Sequence, residues 1–281
     1  MPSTSGSSLT RAIVPGLGRI VGVGMGTGVE ALRQEYDDPF VRWQVDPAAV
    51  AAVHRHGGAV LVEHSHDRFG VPVTGPVLLG LGPAGDLGRL LADAEDRLDE
   101  APLRLTIERH ALDALPTRWA YDDGAKTWDW MWTTTRPVPQ PGEDTVEALH
   151  DTAEINALLD LANPDTHGRP DDAGMVQWLG VRDRGGALLA AGGRVRLGTG
   201  YAHLRGITTV PAARGRGFGS AISARLTRAG LAAAGVCTLG VYSDNTGAIR
   251  MYRRLGYRRG HTFVSGPLVD TYVDPGGILA P

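Results

Sequence analysis

Residues Arg214 to Gly219 read R-G-R-G-F-G and stand between a strand-like apolar run and a helix-like one. Glycine lets a backbone approach a ligand closely, and the first N–H groups of a helix have no intrahelical acceptor, so such a turn is an anion site. Arg214 and Arg216 add positive charge to the same place, and a polyphosphate is the guest this chemistry suits. An ordinary glycine-rich turn is the plain alternative. Further along, Asn245 to Tyr257 read N-T-G-A-I-R-M-Y-R-R-L-G-Y. Asn245 and Tyr252 fall on the same face of a helix, roughly 10 Å apart along its axis. That spacing can set an amide beside the middle of an extended ligand and a phenol beside its reactive end. N-capping by Asn245 and core packing by Tyr252 are the alternatives for each residue singly.

These residues need elements to position them. TTTRPVPQPGED, from Thr133 to Asp144, has the prolines and polar flanks of an extended linker and divides the chain into residues 1–139 and 140–281. In the second part, TAEINALLDLAN has helical spacing, and WLGVRD, ALLAAGGRVRL and YAHLRGITTV read as strands. The glycine turn then enters a helix with Ile222, Leu226, Ala229 and Ala233 on one face, CTLGVYSD is a buried-type strand, and a helix closed by Gly256 leads into a last strand, YRRGHTFVSG. The order is that of an α/β fold with a crossover and a mixed sheet. The first part echoes it: GGAVLVEH and PVLLGL as strands, GPAGDLGRLLADAEDRL as a turn and helix, and LRLTIERHAL and TWDWMWTTT as strands, the last placing Trp128, Trp130 and Trp132 on one face. A diverged duplicate is one reading of that echo.

V-P-A-A-R-G-R-G-F-G-S followed by L-G-V-Y-S-D-N-T-G-A-I-R-M-Y-R-R-L-G-Y resembles the acetyl-CoA-binding core of the GCN5-related N-acetyltransferases. The first segment matches the family's Q/R-x-x-G-x-G/A loop at Arg214, Gly217 and Gly219, and the second its N-x-x-A-x-x-x-Y-x-x-x-G-F/Y helix. The resemblance implies the acyl-CoA N-acyltransferase fold for residues 140–281, and a tandem arrangement if residues 1–139 are a degenerate copy without a cofactor loop. It implies that acetyl-CoA is the co-substrate, with no metal. The arm of the cofactor would run along Ile207, Thr208 and Thr209. Arg214, Gly215, Arg216, Gly217, Phe218, Gly219 and Ser220 would hold its pyrophosphate. Asn245 would contact the pantetheine, Tyr252 would protonate the leaving thiolate, and a backbone N–H near Thr209 would hold the developing oxyanion.

Where many relatives carry a glutamate in the strand before the asparagine, this chain has Gly240 in L-G-V. A base must then come from elsewhere, act through water, or be unnecessary because the amine arrives neutral. His203 is the candidate, since an imidazole suits proton transfer near neutral pH; a strand histidine facing solvent or the other half is the alternative. His167, in N-P-D-T-H-G-R, is a candidate substrate contact. Gly82 to Gly88 would be the first half's counterpart of the phosphate loop, with Asp86 where a cation would be needed. VGVGMGTG, from Val21 to Gly28, mimics a dinucleotide fingerprint, and His54, His56, His64 and His66 form two H-x-H pairs without carboxylates at ligand spacing. Trp128, Trp130 and Trp132 could line an aromatic acceptor pocket, with core or interdomain packing the favoured role of such a stripe, and Cys237, the only cysteine, is read as a buried, inert thiol.

The formal net charge is −3, from 28 basic against 31 acidic residues, which carries no nucleic-acid signature. No apolar run of about 18 residues suggests a membrane span, and the start lacks the order of a secretory signal, so a cytoplasmic protein is expected. The expected activity is transfer of an acetyl group from acetyl-CoA to the primary amine of a small molecule by direct attack. A protein or peptide acceptor, a mycothiol-synthase-like role and a non-catalytic acyl-CoA sensor remain as alternatives, and a homodimer is left open.

Overall fold

The computed structural model describes residues 32–33, 36–66 and 72–271. The glycine run from Val21 to Gly28 lies outside the described residues. Eleven strands form one continuous mixed sheet, β1-β2-β3-β4-β12-β6-β11-β10-β9-β8-β7. In the first half, β1 (Val50–His56), β2 (Ala59–His66) and β3 (Pro72–Leu81) form an antiparallel meander. Helix α2 (Ala84–Arg97) then crosses over to β4 (Arg104–Glu108), which pairs with β3 in parallel. In the second half, β7 (Glu147–Leu149), β8 (Met175–Arg182), β9 (Leu188–Arg196) and β10 (Ala202–Thr209) form a meander, and α4 (Phe218–Ala234) crosses over to β11 (Cys237–Tyr242), parallel to β10. A meander followed by a helical crossover is thus built twice.

The halves meet by exchanging strands. β6 (Lys126–Thr133) leaves the first half and pairs with β11 of the second, Trp128 opposite Tyr242 and Trp130 opposite Gly240. β12 (Arg258–Gly266) leaves the second half and pairs with β4 of the first. β6 and β12 also pair with each other, antiparallel. The sheet therefore runs through the segment that precedes the proline-rich linker. A short second sheet joins β5 (Trp119–Tyr121) to β13 (Leu268–Asp270).

Local chemistry accounts for the elements that matter to the site. α1 (Pro39–Trp43) starts on Asp38, whose carboxylate accepts from two N–H groups, with proline at its first turn. α3 (Thr152–Ala162) starts the same way on Asp151 and packs Ile155, Leu158 and Leu159 on Trp178 and Ala191. α4 ends at Gly235 in the left-handed region (φ 72°). α4 and α5 (Thr246–Arg254) share one core with Leu204, Leu239 and Met131, on the face of the sheet away from α3. The tryptophans of β6 pack with Phe40, Trp43 and Phe263, so packing is the role of the stripe.

Candidate functional site

β10 and β11 are hydrogen-bonded only from Ala202–Cys237 to Leu204–Leu239, and beyond that they diverge. The edge of β10 that would have faced β11 is left without a strand partner from Arg205 onward. Gly206 causes a second irregularity: it sits at φ 62°, and the register with β9 shifts between Arg205 and Thr208. Only glycine takes that conformation at low cost, because a side chain there would also meet Trp178 at 2.5 Å. The bulge reverses which face the following residues take. Ile207 and Thr209 turn toward α4, whereas Thr208 turns to the α3 side and accepts a hydrogen bond from Asn163 Nδ2 at 3.2 Å. Strict alternation would have put Ile207 on the face of His203, and the bulge overturns that.

The glycine turn lies beside this opened edge. Gly215 (φ 79°) and Gly217 (φ 88°) both need the left-handed region, and a Cβ at either would meet nothing within 4 Å, so the concave side of the turn is open. Gly217 is the residue before α4 and no side chain caps that helix. Among the described residues, the N–H groups of Gly215 to Ser220 find no acceptor, the first satisfied donor being Ala221, bonded to Gly217 O at 3.0 Å. A row of uncapped N–H groups at the positive end of a 17-residue helix is the donor set an anion needs. Gly219 closes the groove floor: a Cβ there would lie 3.6 Å from Met251 Sδ and 3.9 Å from Ile207 and Thr209. The residues therefore fit a pyrophosphate with an extended arm running along β10.

The side chains around the turn are arranged differently from the sequence expectation. Arg214 points away from the loop and donates to the carbonyls of Thr209 and Ala162, both at 3.2 Å, tying β10 to the C-terminal end of α3. Arg216 lies over the Phe218 ring, 4.8 Å from its centroid, and keeps its charge at the surface of the turn. Ser220 Oγ donates to Gln140 of the linker at 3.0 Å. Asn245 caps α5 through Ala248 N at 3.1 Å, which commits its oxygen and leaves its amide donors.

Tyr252 is 6% exposed, packed edge-on against Tyr257, with its hydroxyl directed toward Ser223. Burial pushes its pKa above the ordinary value, so the phenol stays protonated and holds its proton more tightly than an exposed one. Cys237 is buried in the same core and its thiol is pushed up to about 11, again by burial.

His203 is where the structure departs most from expectation. It stands in the part of β10 still paired with β11, 8% exposed, with Nδ1 2.8 Å from Thr238 Oγ1. Burial, with Arg205 adding to it, lowers its pKa to about 3. An imidazole held neutral to that degree is a poor proton acceptor, so the geometry does not support the base expected of it. His167, by contrast, sits at the opening. Its Nε2 lies 3.3 Å from the hydroxyl of Tyr242, the last residue of β11, while its neighbour Gly168 abuts Arg205 and Gly206 of β10. The loop after α3 thus crosses from one diverging strand to the other, on the face opposite α4.

Gly240 has a structural cause. A Cβ there would lie 3.3 Å from Trp128 Cε3, because β6 lays that indole across β11. A ring from the first half packs beside the position of the missing glutamate, which is otherwise exposed. Tyr242 has no signal in the sequence, and Trp128 stands out only as part of the tryptophan stripe, since only the strand exchange brings it to β11. In the first half, the counterpart turn has no cation, and Asp86 accepts from Gly58 N at 2.9 Å. Among the described residues no cluster of histidine, cysteine or carboxylate side chains could hold a metal ion, and no helix is long and apolar enough to cross a membrane.

Residues 127–257 match the model of the Acetyltransferase (GNAT) family. Among solved structures, a GCN5-related N-acetyltransferase from Sphaerobacter thermophilus is 15% identical with a TM-score of 0.50, covering 86% of this chain and 84% of its own. One from Kribbella flavida is 18% identical with a TM-score of 0.48, covering 91% and 98%. A structure assigned to the GNAT family from Novosphingobium aromaticivorans is 22% identical with a TM-score of 0.49, covering 75% and 89%. At 15% identity the likeness to the Sphaerobacter thermophilus structure is one of fold. No curated protein matches the sequence.

Proposed function

We propose that this chain, whose residues 127–257 form a GNAT-family domain and make it an acyltransferase, moves an acetyl group from acetyl-CoA to the primary amine of a small molecule. The observation that carries the reading is the row of N–H groups from Gly215 to Ser220 without acceptors, at the head of α4 and beside the opened edge of β10. Acetyl-CoA supplies the thioester whose carbonyl carbon the amine attacks. The N–H groups of the turn bind the pyrophosphate, and the groove between Ile207, Thr209, Gly219 and Met251 directs the arm toward the divergence of β10 and β11. A backbone N–H on the unpaired edge near Thr209 stabilises negative charge developing on the carbonyl oxygen. As the carbon–nitrogen bond forms and the carbon–sulfur bond breaks, Tyr252 is the donor held protonated for the leaving sulfur.

In this reading Gly240 offers no base and the buried His203 is a poor one, so the acceptor enters as the neutral amine and its surplus proton leaves to solvent after attack. On the same reading, residues 140–281 are the cofactor-binding domain and residues 1–139 complete the acceptor side. Free-thiol release from acetyl-CoA across a panel of primary amines of graded basicity tests this reading. The expected rate at fixed pH follows the fraction of neutral amine. Saturable acetyl-CoA binding with no amine raising thiol release above the amine-free control would instead indicate a sensor.

A further inference from the structure

Arg104 opens β4 with its guanidinium half-buried, on the strand face of Thr106 and Glu108 rather than the face packed on α2. Among the described residues it has neither a hydrogen bond nor an ion pair, and its electrostatic neighbours are Tyr121, Asp122 and Tyr242. Other arginines around the opening are committed: Arg205 to Asp172 at 3.3 Å, and Arg214 to two backbone carbonyls. β4 joins β11 through β12 and β6, and the registers set Glu108 in the row of Phe263, Trp128 and Tyr242, with Arg104 four residues along β4 on the same face of the sheet. Tyr242 links the two places, with His167 at the opening on one side and Arg104 on the other. The indole of Trp128 lies on the sheet between them and is held there by Ser265.

A guanidinium cannot shed its proton to relieve burial, and its planar fork of donors matches a carboxylate or phosphate. We propose that the acceptor carries an anionic group, a carboxylate or a phosphate, on the same small molecule as its amine, and that Arg104 holds it while the amine reaches the opening between β10 and β11. The proposal rests on the reading of this site as an amine acetyltransferase. It makes the first half a specificity element, because the charge that selects the acceptor comes from β4.

Two matched pairs of probes test it on the full chain, β-alanine against β-alanine amide and O-phosphoethanolamine against ethanolamine, compared at equal concentrations of neutral amine. An anionic member is expected to exceed its neutral partner in kcat/KM by about 10- to 100-fold, the range of one charge-assisted contact. The first pair winning identifies a carboxylate, the second a phosphate. Arg104→Met is expected to collapse the ratio toward one with the KM for acetyl-CoA unchanged, and Arg104→Lys to retain part of it. Equal use of both members, or a preference that survives Arg104→Met, overturns the proposal. If no amine is turned over, the acetyltransferase reading fails, and the anion site is read alone by tryptophan fluorescence during titration with β-alanine and O-phosphoethanolamine. Saturation in the parent that is lost in Arg104→Met then supports the site, and identical curves overturn it.

Discussion

Gly240→Glu restores the residue type that many relatives of this fold carry, and the structure predicts that it does so at a cost set by Trp128. The new Cβ would begin 3.3 Å from Cε3 of the indole, a few tenths of an ångström tighter than an ordinary van der Waals contact, and 3.5 Å from Cζ3, and β6 cannot retreat because it is paired on both sides. The ring must tilt away. Tilting strains the hydrogen bond from Trp128 Nε1 to Ser265 Oγ, 2.8 Å, whose complete loss would cost about 1 kcal/mol and sets the upper end of this contribution. It also loosens the contact with the Phe263 ring, whose centroid lies 5.0 Å away, worth about 0.5–1.5 kcal/mol. Gly240 is otherwise exposed, so the carboxylate itself stays in water and adds little. The sum is at most about 2.5 kcal/mol of lost stability, measured by urea unfolding. Trp128→Ala removes the obstacle, so in that background Gly240→Glu should cost less than about 0.5 kcal/mol, the scatter of independent sites. A cycle in which Gly240→Glu costs the same with and without Trp128, or nothing in either, would refute the reasoning.

Three further outcomes follow from the same geometry. Tyr252→Phe keeps the buried ring and removes only the proton donor, so turnover should fall about 10²–10⁴-fold with acetyl-CoA affinity retained; an unchanged rate would make the phenol structural. Gly217→Ala places a side chain in open space at φ 88°, so its cost is backbone strain of about 1–2 kcal/mol, and the relaxed turn should bind acetyl-CoA more weakly by calorimetry while Tyr252 variants do not. His261 is bracketed by Glu108 at 2.9 Å and Asp38 at 3.0 Å, and although burial opposes its charge, those two carboxylates raise its pKa from 6.5 to about 9. Its contribution to stability should be complete below pH 6.5 and disappear as the pH rises through 9; His261→Gln should flatten the thermal midpoint in that window, and a parent protein already flat there contradicts the assignment.

The second half was legible because its signals are local. Each strand and helix from Thr152 onward is bounded by turn glycines or caps within a few residues, and the glycine turn announces both its conformation and its donors. The open turn from Gly215 to Gly219 and its place beside β10 could therefore be read from the sequence. What was illegible depends on pairing between residues far apart. The bulge at Gly206, which separates the faces of His203 and Ile207, is a question of register with β9. The burial that disables His203 comes from its position between β9 and β11. The exchange of β6 and β12, which brings Trp128 over Gly240 and Arg104 toward Tyr242, leaves no mark in the composition of either strand. Side-chain commitments such as Arg214 to Thr209 and Ala162 are likewise invisible until the end of α3 is placed.

The most direct measurement follows an isotopically labelled acetyl group from acetyl-CoA into a mixture of small primary amines, with the intact mass of the protein recorded alongside. Direct attack at the opening of β10 and β11 predicts one labelled N-acetyl product per free thiol released and an unmodified protein. Thiol release without a labelled amine, or label found on the protein, would contradict it.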